Sequence, residues 1–266
     1  MTASLDRIDA ALSDWRTAGP RPFILGLCGA QGSGKSTLSQ ALVQRLQARG
    51  LKAAILSLDD LYLSRAARAA LAKTIHPLFI TRGVPGTHDA ALGIDVLDAV
   101  RRRSPVALPR FDKSTDEPIP AHLWPEVADL DLLIFEGWCV GAMPQPAADL
   151  AEPVNGLERT QDLDATWRTR VNIDLAGPYA DLFARIDKLV LLAAPDFAVV
   201  ATWRTQQEHD LSRMLEREGR TGTKVMTDAE IRHFIQHYER LTRYILSEMP
   251  HRADLTLRLD ANRGLT

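Results

Sequence analysis

The chain has few cysteines, few lysines and no long apolar run, and neither sign of charge is in excess. Of its 266 residues only Cys28 and Cys139 are cysteine, each in or beside an apolar run and neither in a Cys-x-x-Cys or Cys/His cluster. That argues against a disulfide framework or a zinc site and fits a reducing compartment. Lys+Arg total 32 against 34 Asp+Glu, a net charge of −2, which supplies no electrostatic basis for binding nucleic acid or an anionic membrane. No apolar run approaches the roughly 18 residues of a membrane span. Residues 1–16 are polar and amphipathic, without the apolar core of a signal peptide. The expectation is a cytoplasmic protein, monomer or homodimer, with no nucleic-acid or membrane partner. Only 6 of the basic residues are lysine, against 26 arginine, so a lysine at a motif position is informative.

The composition that is present, 45% hydrophobic and 25% charged, is that of a globular domain. Its sharpest feature is Gly29-Ala30-Gln31-Gly32-Ser33-Gly34-Lys35-Ser36, which fits G-x-x-x-x-G-K-[ST] in full. A shuffled chain of this composition yields roughly 0.002 such matches. An apolar run precedes it and an apolar-periodic helix follows, the context of a phosphate-binding P-loop. The glycines let backbone N–H groups turn inward, and the helix N-terminus adds partial positive charge. Lys35 is expected on the β/γ-phosphates of ATP, the Ser36 hydroxyl on Mg²⁺ and Thr37 near the α-phosphate. Guanine specificity is disfavoured because no [NT]-K-x-D motif occurs: Thr223-Lys224 runs into Val225-Met226.

Short continuous apolar runs at 23–28, 53–58, 130–135, 188–193 and 254–259 read as buried parallel strands. Helical patterns at 35–49, 90–103, 197–217 and 227–248 lie between them, and another at 5–15 stops before Gly19-Pro20. This alternation predicts an α/β fold, a five-stranded mostly parallel sheet with helices on both faces. It is read as one domain over 1–266, opened by an N-terminal helix within 1–20. Two Pro/Gly-rich stretches, 62–125 and 140–177, exceed what a crossover needs and read as substrate-side insertions.

Ligands in such sheets sit beyond the carboxyl ends of the strands, and acids stand there twice. Strand two runs into Ser57-Leu58-Asp59-Asp60-Leu61-Tyr62. Strand three ends in Leu132-Leu133-Ile134-Phe135-Glu136-Gly137, an apolar run closing on an acid that can hold Mg²⁺. Asp59 is positioned to accept a proton from an attacking hydroxyl, with a metal role as the alternative. Asp60 competes for the base role or caps the next helix.

Five segments occur in order: the P-loop through Thr37, Ser57 to Tyr62, Arg82-Gly83-Val84-Pro85-Gly86-Thr87-His88-Asp89, Leu108-Pro109-Arg110-Phe111-Asp112-Lys113-Ser114, and Ile134-Phe135-Glu136-Gly137-Trp138. Together they resemble the plant- and fungal-type D-glycerate 3-kinases and their bacterial relatives, P-loop kinases akin to uridine kinase, pantothenate kinase and phosphoribulokinase. The resemblance covers nearly the whole chain. It implies ATP, Mg²⁺ and phosphorylation of the 3-hydroxyl of D-glycerate, with Asp59 where uridine-kinase-like enzymes keep their base. Segment 154–170, with Asn155, Trp167 and Arg168, is closer to bacterial members than to the plant form. For a small hydroxy acid, Arg82, Arg110 and Lys113 offer cationic donors, His88 a partner for a hydroxyl, and Asp60 and Tyr62 further polar contacts. Trp138 fits a pocket wall or the core equally. Asp89 reads as the N-cap of the next helix and Arg101-Arg102-Arg103 as its basic terminus.

Related kinases lay arginines of a helical lid over the transferring phosphate. Here 197–220 is the expected lid, with Arg204, Arg213, Arg217 and Arg220 on it. Adenine is placed beside the loop after the last strand, which makes Asn262 and Arg263 base-pocket candidates. A kinase of another hydroxylated metabolite, such as pantothenate or a nucleoside, and a nucleotide-switched ATPase are the alternatives. The long insertion bearing Arg, His and Lys favours the enzyme.

Overall fold

In a computed structural model, which describes residues 2–217 and 226–266, five parallel strands form one sheet. They are β1 (Phe23–Gly29), β2 (Ala53–Ser57), β3 (Leu132–Gly137), β4 (Lys188–Ala193) and β5 (Leu255–Arg258), in the order β2-β3-β1-β4-β5. Every residue of β1 and β3 is buried, which explains why these strands read as continuous apolar runs. The expected α/β sheet is therefore present. Strand three runs two residues later than its apolar run of 130–135 and ends on Glu136-Gly137, as the acid closing that run suggested.

Register decides where the chemistry goes. Glu136 pairs with Leu27 on one side and Ser57 on the other. The carboxyl ends of β2, β3 and β1 thus open at one level, with the P-loop after β1 and Asp59 just after β2. Helix α1 (Thr2–Ala18) is longer than expected, and α2 (Lys35–Gln47) begins at the P-loop lysine. Gly34 precedes α2 with φ 86°, and no side chain caps the helix; only glycine takes that backbone freely. On its inner side α2 buries Leu38, Leu42 and Leu46, each worth roughly 1.5–3 kcal/mol of burial.

The insertions are more structured than their composition suggested. The first holds α3 (Arg65–Thr74), α4 (Ala90–Arg101) and two short antiparallel ladders, Val106–Ala107 with Glu126–Val127 and Phe111–Asp112 with Glu117–Pro118. Asp89 caps α4 by accepting from the Leu92 N–H at 2.9 Å, as expected. The second holds α5 (Gly156–Gln161) and α6 (Thr166–Ala176), with α7 (Pro178–Phe183) following. Buried ion pairs fasten it: Arg240 grips Glu158 at 2.7 Å and Arg168 grips Asp162 at 2.9 Å, and Asn155 caps α5. Helix α8 (Phe197–Arg217) and α9 (Asp228–Glu248) pack on each other, and Thr227 forms a capping box at the start of α9. No helix among the described residues is long and apolar enough to cross a membrane.

The loop 82–88 is clamped from two sides. Tyr238 of α9 donates to the Arg82 carbonyl at 3.0 Å, and the Trp138 indole donates to the Gly83 carbonyl at 2.8 Å. Gly83 has φ 137°, and a Cβ there would lie 2.0 Å from the Tyr238 hydroxyl oxygen. Gly83→Ala is therefore expected to cost at least about 2 kcal/mol through strain and lost packing. Chemical denaturation should show a lower midpoint with an unchanged slope; an unaltered midpoint would contradict the clamp.

Candidate active site

The P-loop lies at the level where β1 and β3 end. The Ser36 hydroxyl donates to Glu136 Oε1 at 3.0 Å. The other carboxylate oxygen, Oε2, is buried without a partner, and a buried lone carboxylate oxygen is costly unless something meets it. Gly32 (φ 76°) packs against Trp203 of α8, where a Cβ would come within 2.6 Å of the Trp203 Cβ.

Beyond β2, Asp59 is partly exposed and both its oxygens are engaged. Tyr62 donates to Oδ1 at 2.9 Å and the Lys113 ammonium to Oδ2 at 2.5 Å. Burial alone would raise its pKa, but the Lys113 and Lys35 charges prevail and hold it well below the ordinary carboxylate range. Asp60 behaves differently. It accepts from the Phe111 N–H at 3.2 Å and faces Arg110 at 3.4 Å, and burial moves its pKa up.

The tight segment around Gly83 and Gly86 delivers two side chains. Thr87 accepts from the Gly83 N–H and donates to the Val84 carbonyl. Arg82 leaves this turn paired with Asp116, its guanidinium 5.7 Å from the Phe111 ring centre. His88 is buried, stacked on Tyr62 with ring centres 4.5 Å apart. Tyr179 accepts from the Gly86 N–H at 3.0 Å and lies 2.6 Å from His88 Nδ1. The phenol's pKa is raised by burial, so it keeps its proton and donates a hydrogen bond to Nδ1. Burial lowers the His88 pKa to about 3. The ring is thus neutral with its proton on Nε2, and that atom is buried without a partner.

This arrangement can cradle phosphate at a helix N-terminus, hold a divalent cation between Ser36 and Glu136, and offer a carboxylate and several cations to a small anionic hydroxyl compound. The chain is 38% identical over 232 residues to the uncharacterized kinase mug58 of Schizosaccharomyces pombe, covering 82% of this chain and 79% of that protein. It is 31% identical over 228 residues to the chloroplastic D-glycerate 3-kinase of Arabidopsis thaliana, covering 82% of this chain and 46% of that longer protein. Among solved structures, the D-glycerate 3-kinase of Cryptococcus neoformans superposes with a TM-score of 0.80 at 27% identity, over 99% of this chain and 98% of that one. The chain belongs to the D-glycerate 3-kinase family of P-loop kinases. A family model for the methylmalonyl Co-A mutase-associated GTPase MeaB matches residues 9–63 alone, the stretch holding the P-loop.

In this D-glycerate 3-kinase family member, the P-loop, Asp59, Asp60, Tyr62, Arg110, Lys113 and Glu136 are linked at one sheet edge, and Arg82 and His88 join through Phe111 and Tyr62. Other expectations need correction. Asp59 holds Tyr62 and Lys113, one on each oxygen. Asp60 caps no helix: Ser64 caps α3, while Asp60 fastens the Arg110–Phe111 turn. Trp138 is buried, edge-on to Tyr238 at 4.9 Å, and holds the Gly83 turn from the core while its ring also lines a small cavity with Val84, Trp167 and Leu241. Arg204 is bound to Glu208 at 2.5 Å, its neighbour one turn on. Arg213 is exposed and paired with Asp210, and Arg217 is exposed, the pattern of a solvated helix face. Arg220 lies outside the described residues. The Asn262 side chain is exposed, with its backbone N–H turned to Asp260. Arg263 donates to the Gly32 carbonyl at 2.5 Å and lies over the Trp203 ring at 5.2 Å, so it braces the P-loop from outside.

Sequence reasoning missed Asp116, Arg68 and Tyr179. Asp116 binds both Arg68 and Arg82, and Tyr179 sets the His88 tautomer; all three belong to no motif, and only the fold brings them to their partners.

Two buried histidines make stability pH-dependent. Burial lowers His88 to about 3 and His237 to about 4, whereas an unfolded imidazole titrates near 6.5. The unfolded chain binds more protons between those limits, so stability falls as pH drops below about 6.5. The denaturation midpoint should decline from pH 7 toward pH 4.5, and less steeply in His237→Gln. A flat profile over that range would contradict the neutral buried rings.

Proposed function

We propose that the protein transfers the γ-phosphoryl group of ATP to the 3-hydroxyl of D-glycerate. Family membership supports phosphoryl transfer to an alcohol. The observation that carries the acceptor reading is the cluster beyond β2: Asp59 paired with Lys113, its neighbour Asp60 with Arg110, and Arg82 beside the Phe111 ring that packs on Tyr62. That set suits a molecule carrying both a hydroxyl and a carboxylate.

In this reading the P-loop N–H groups and Lys35 hold the β/γ-phosphates. The Ser36 hydroxyl and the unpartnered oxygen of Glu136 form a hard-oxygen pair that fits Mg²⁺; when bound, the ion offsets charge on the phosphate oxygens. Arg82 binds the acceptor carboxylate, and Arg110, pinned by Asp60, adds positive charge. Asp59 orients the attacking hydroxyl and takes its proton. Its low pKa makes it a weak base, yet phosphoryl transfer has a loose transition state in which positioning outweighs base strength. Lys113 yields one Asp59 oxygen to the acceptor hydroxyl. Arg204, tied to Glu208 and 5.7 Å from the Phe234 ring centre, is the lid arginine kept as a candidate for the transferring phosphate, and Arg213 is assigned no role.

Initial-rate measurements on a panel of D-glycerate, pantothenate and uridine test the acceptor. D-Glycerate should give the highest kcat/KM, and turnover of uridine or pantothenate without turnover of D-glycerate would reject the assignment while leaving a kinase. ATP should exceed GTP as donor in the same assay. Lys35→Ala should abolish transfer in a folded protein. Asp59→Asn should lower kcat by at least about 100-fold with ATP affinity little changed. A larger loss in Asp60→Asn would move the base role to Asp60.

A further inference from the structure

Arg68 is the most deeply buried arginine among the described residues at 2% exposure, and each of its nitrogens has a partner. Nε donates to the Leu63 carbonyl at 3.2 Å, Nη1 to the Ile80 carbonyl at 2.6 Å, and Nη2 to Asp116 Oδ2 at 2.6 Å. The other Asp116 oxygen accepts from Arg82 Nη1. Asp116 stands at the turn of the Phe111–Asp112/Glu117–Pro118 ladder with φ 62°, a conformation that aspartate and asparagine tolerate better than other side chains. The same ladder carries Lys113, which reaches Asp59. One hairpin therefore touches the proposed base at one point and the proposed acceptor anchor at another.

The charge count is unequal. Two guanidiniums share one carboxylate, so the triad keeps one positive charge. Every nitrogen of Arg68 already has a partner, whereas Nε and Nη2 of Arg82 have none among the described residues. The free charge and the free donors thus coincide on Arg82, whose side chain is 30% exposed. A guanidinium edge with adjacent free donors is the geometry that takes a carboxylate bidentately.

We infer that Asp116, anchored by buried Arg68, is a positioning residue that aims the free edge of Arg82 at the acceptor's carboxylate and so sets the enzyme's preference for an acid over the corresponding neutral polyol. The inference rests on the proposed acceptor site. Removing the Asp116 charge releases Arg82 and leaves Arg68 repelling it, so anchoring is lost even though Arg82 remains. Arg68 itself is too buried to test without risk to folding; Asp116, with its side chain 27% exposed, is the better probe.

The measurement is the ratio of kcat/KM for D-glycerate to kcat/KM for glycerol, which lacks the carboxylate, in wild type, Arg82→Ala, Asp116→Asn and Asp116→Ala. Thermal melting serves as the folding control. Asp116→Asn keeps the turn conformation and shape but leaves the buried Arg68 charge without its counter-ion, so its melting temperature should fall while the protein stays folded at the assay temperature. Its glycerate/glycerol ratio should fall at least about tenfold, carried by acceptor KM, while KM for ATP stays within about twofold. Arg82→Ala should fall as far or further. A wild type that does not prefer glycerate over glycerol overturns the acceptor reading and the inference with it. A wild type that prefers glycerate, with the ratio lost in Arg82→Ala but retained in both Asp116 variants, overturns the inference alone. A ratio that rises in Asp116→Asn would make Asp116 a competitor for Arg82 and also overturn it.

Discussion

Backbone hydrogen bonds that hold Glu136 level with Leu27 and Ser57 fix the position of the reactive groups at the sheet edge. A shift of one residue in either ladder would turn the Glu136 side chain to the opposite face of the sheet and break its contact with Ser36. The pairing is secure because β1 and β3 are buried on both faces, so a slipped register would leave apolar side chains and backbone groups mismatched in the core. The site gains its precision from sheet interior while Arg82, His88, Arg110 and Lys113 hang on the first insertion.

Those insertions are where structure and sequence part. The P-loop was legible because its chemistry is local: a turn, a lysine and a hydroxyl at fixed spacing require no distant partner. Glu136 was legible because an apolar run ending in an acid is also a local pattern, although the run alone misplaced the strand by two residues. Arg82 and His88 stood out by resemblance, but their environment did not. Whether a loop arginine is free or neutralised depends on a carboxylate 34 residues away in Asp116, and no periodicity records such a meeting. Trp138 shows the same limit, since its place after a strand suited pocket wall and core equally, and only Tyr238 and Gly83, brought in from other elements, show what it holds.

The lid arginines show a different ambiguity. A helix that repeats arginine on one side looks the same whether the charges face water or phosphate. Here a local acid decides: Glu208 is buried beside Arg204 and accepts the Met226 N–H, which ties that arginine into the α8–α9 packing. Asp210 faces Arg213 in solvent, where an ion pair contributes little. Arg263 was read as a contact for a base and instead braces Gly32, which links the last loop of the chain to the mouth of the phosphate site through Trp203.

Within the pocket nearly every cation already has an internal anion: Lys113 with Asp59, Arg110 with Asp60, Arg68 with Asp116. Such pairing avoids leaving bare charges in a half-buried cleft, where the desolvation cost is high. It also means that an incoming neutral molecule gains little, because each pair would have to open for a weaker partner. An anionic acceptor differs, since the unequal triad leaves one positive charge and two free donors on Arg82 for it to meet. A hydroxyl on the same molecule is then brought toward Asp59, where only the Lys113 contact, made by an exposed side chain on a hairpin, has to give way. Selectivity and positioning thus come from the same imbalance of charge, two arginines to one carboxylate.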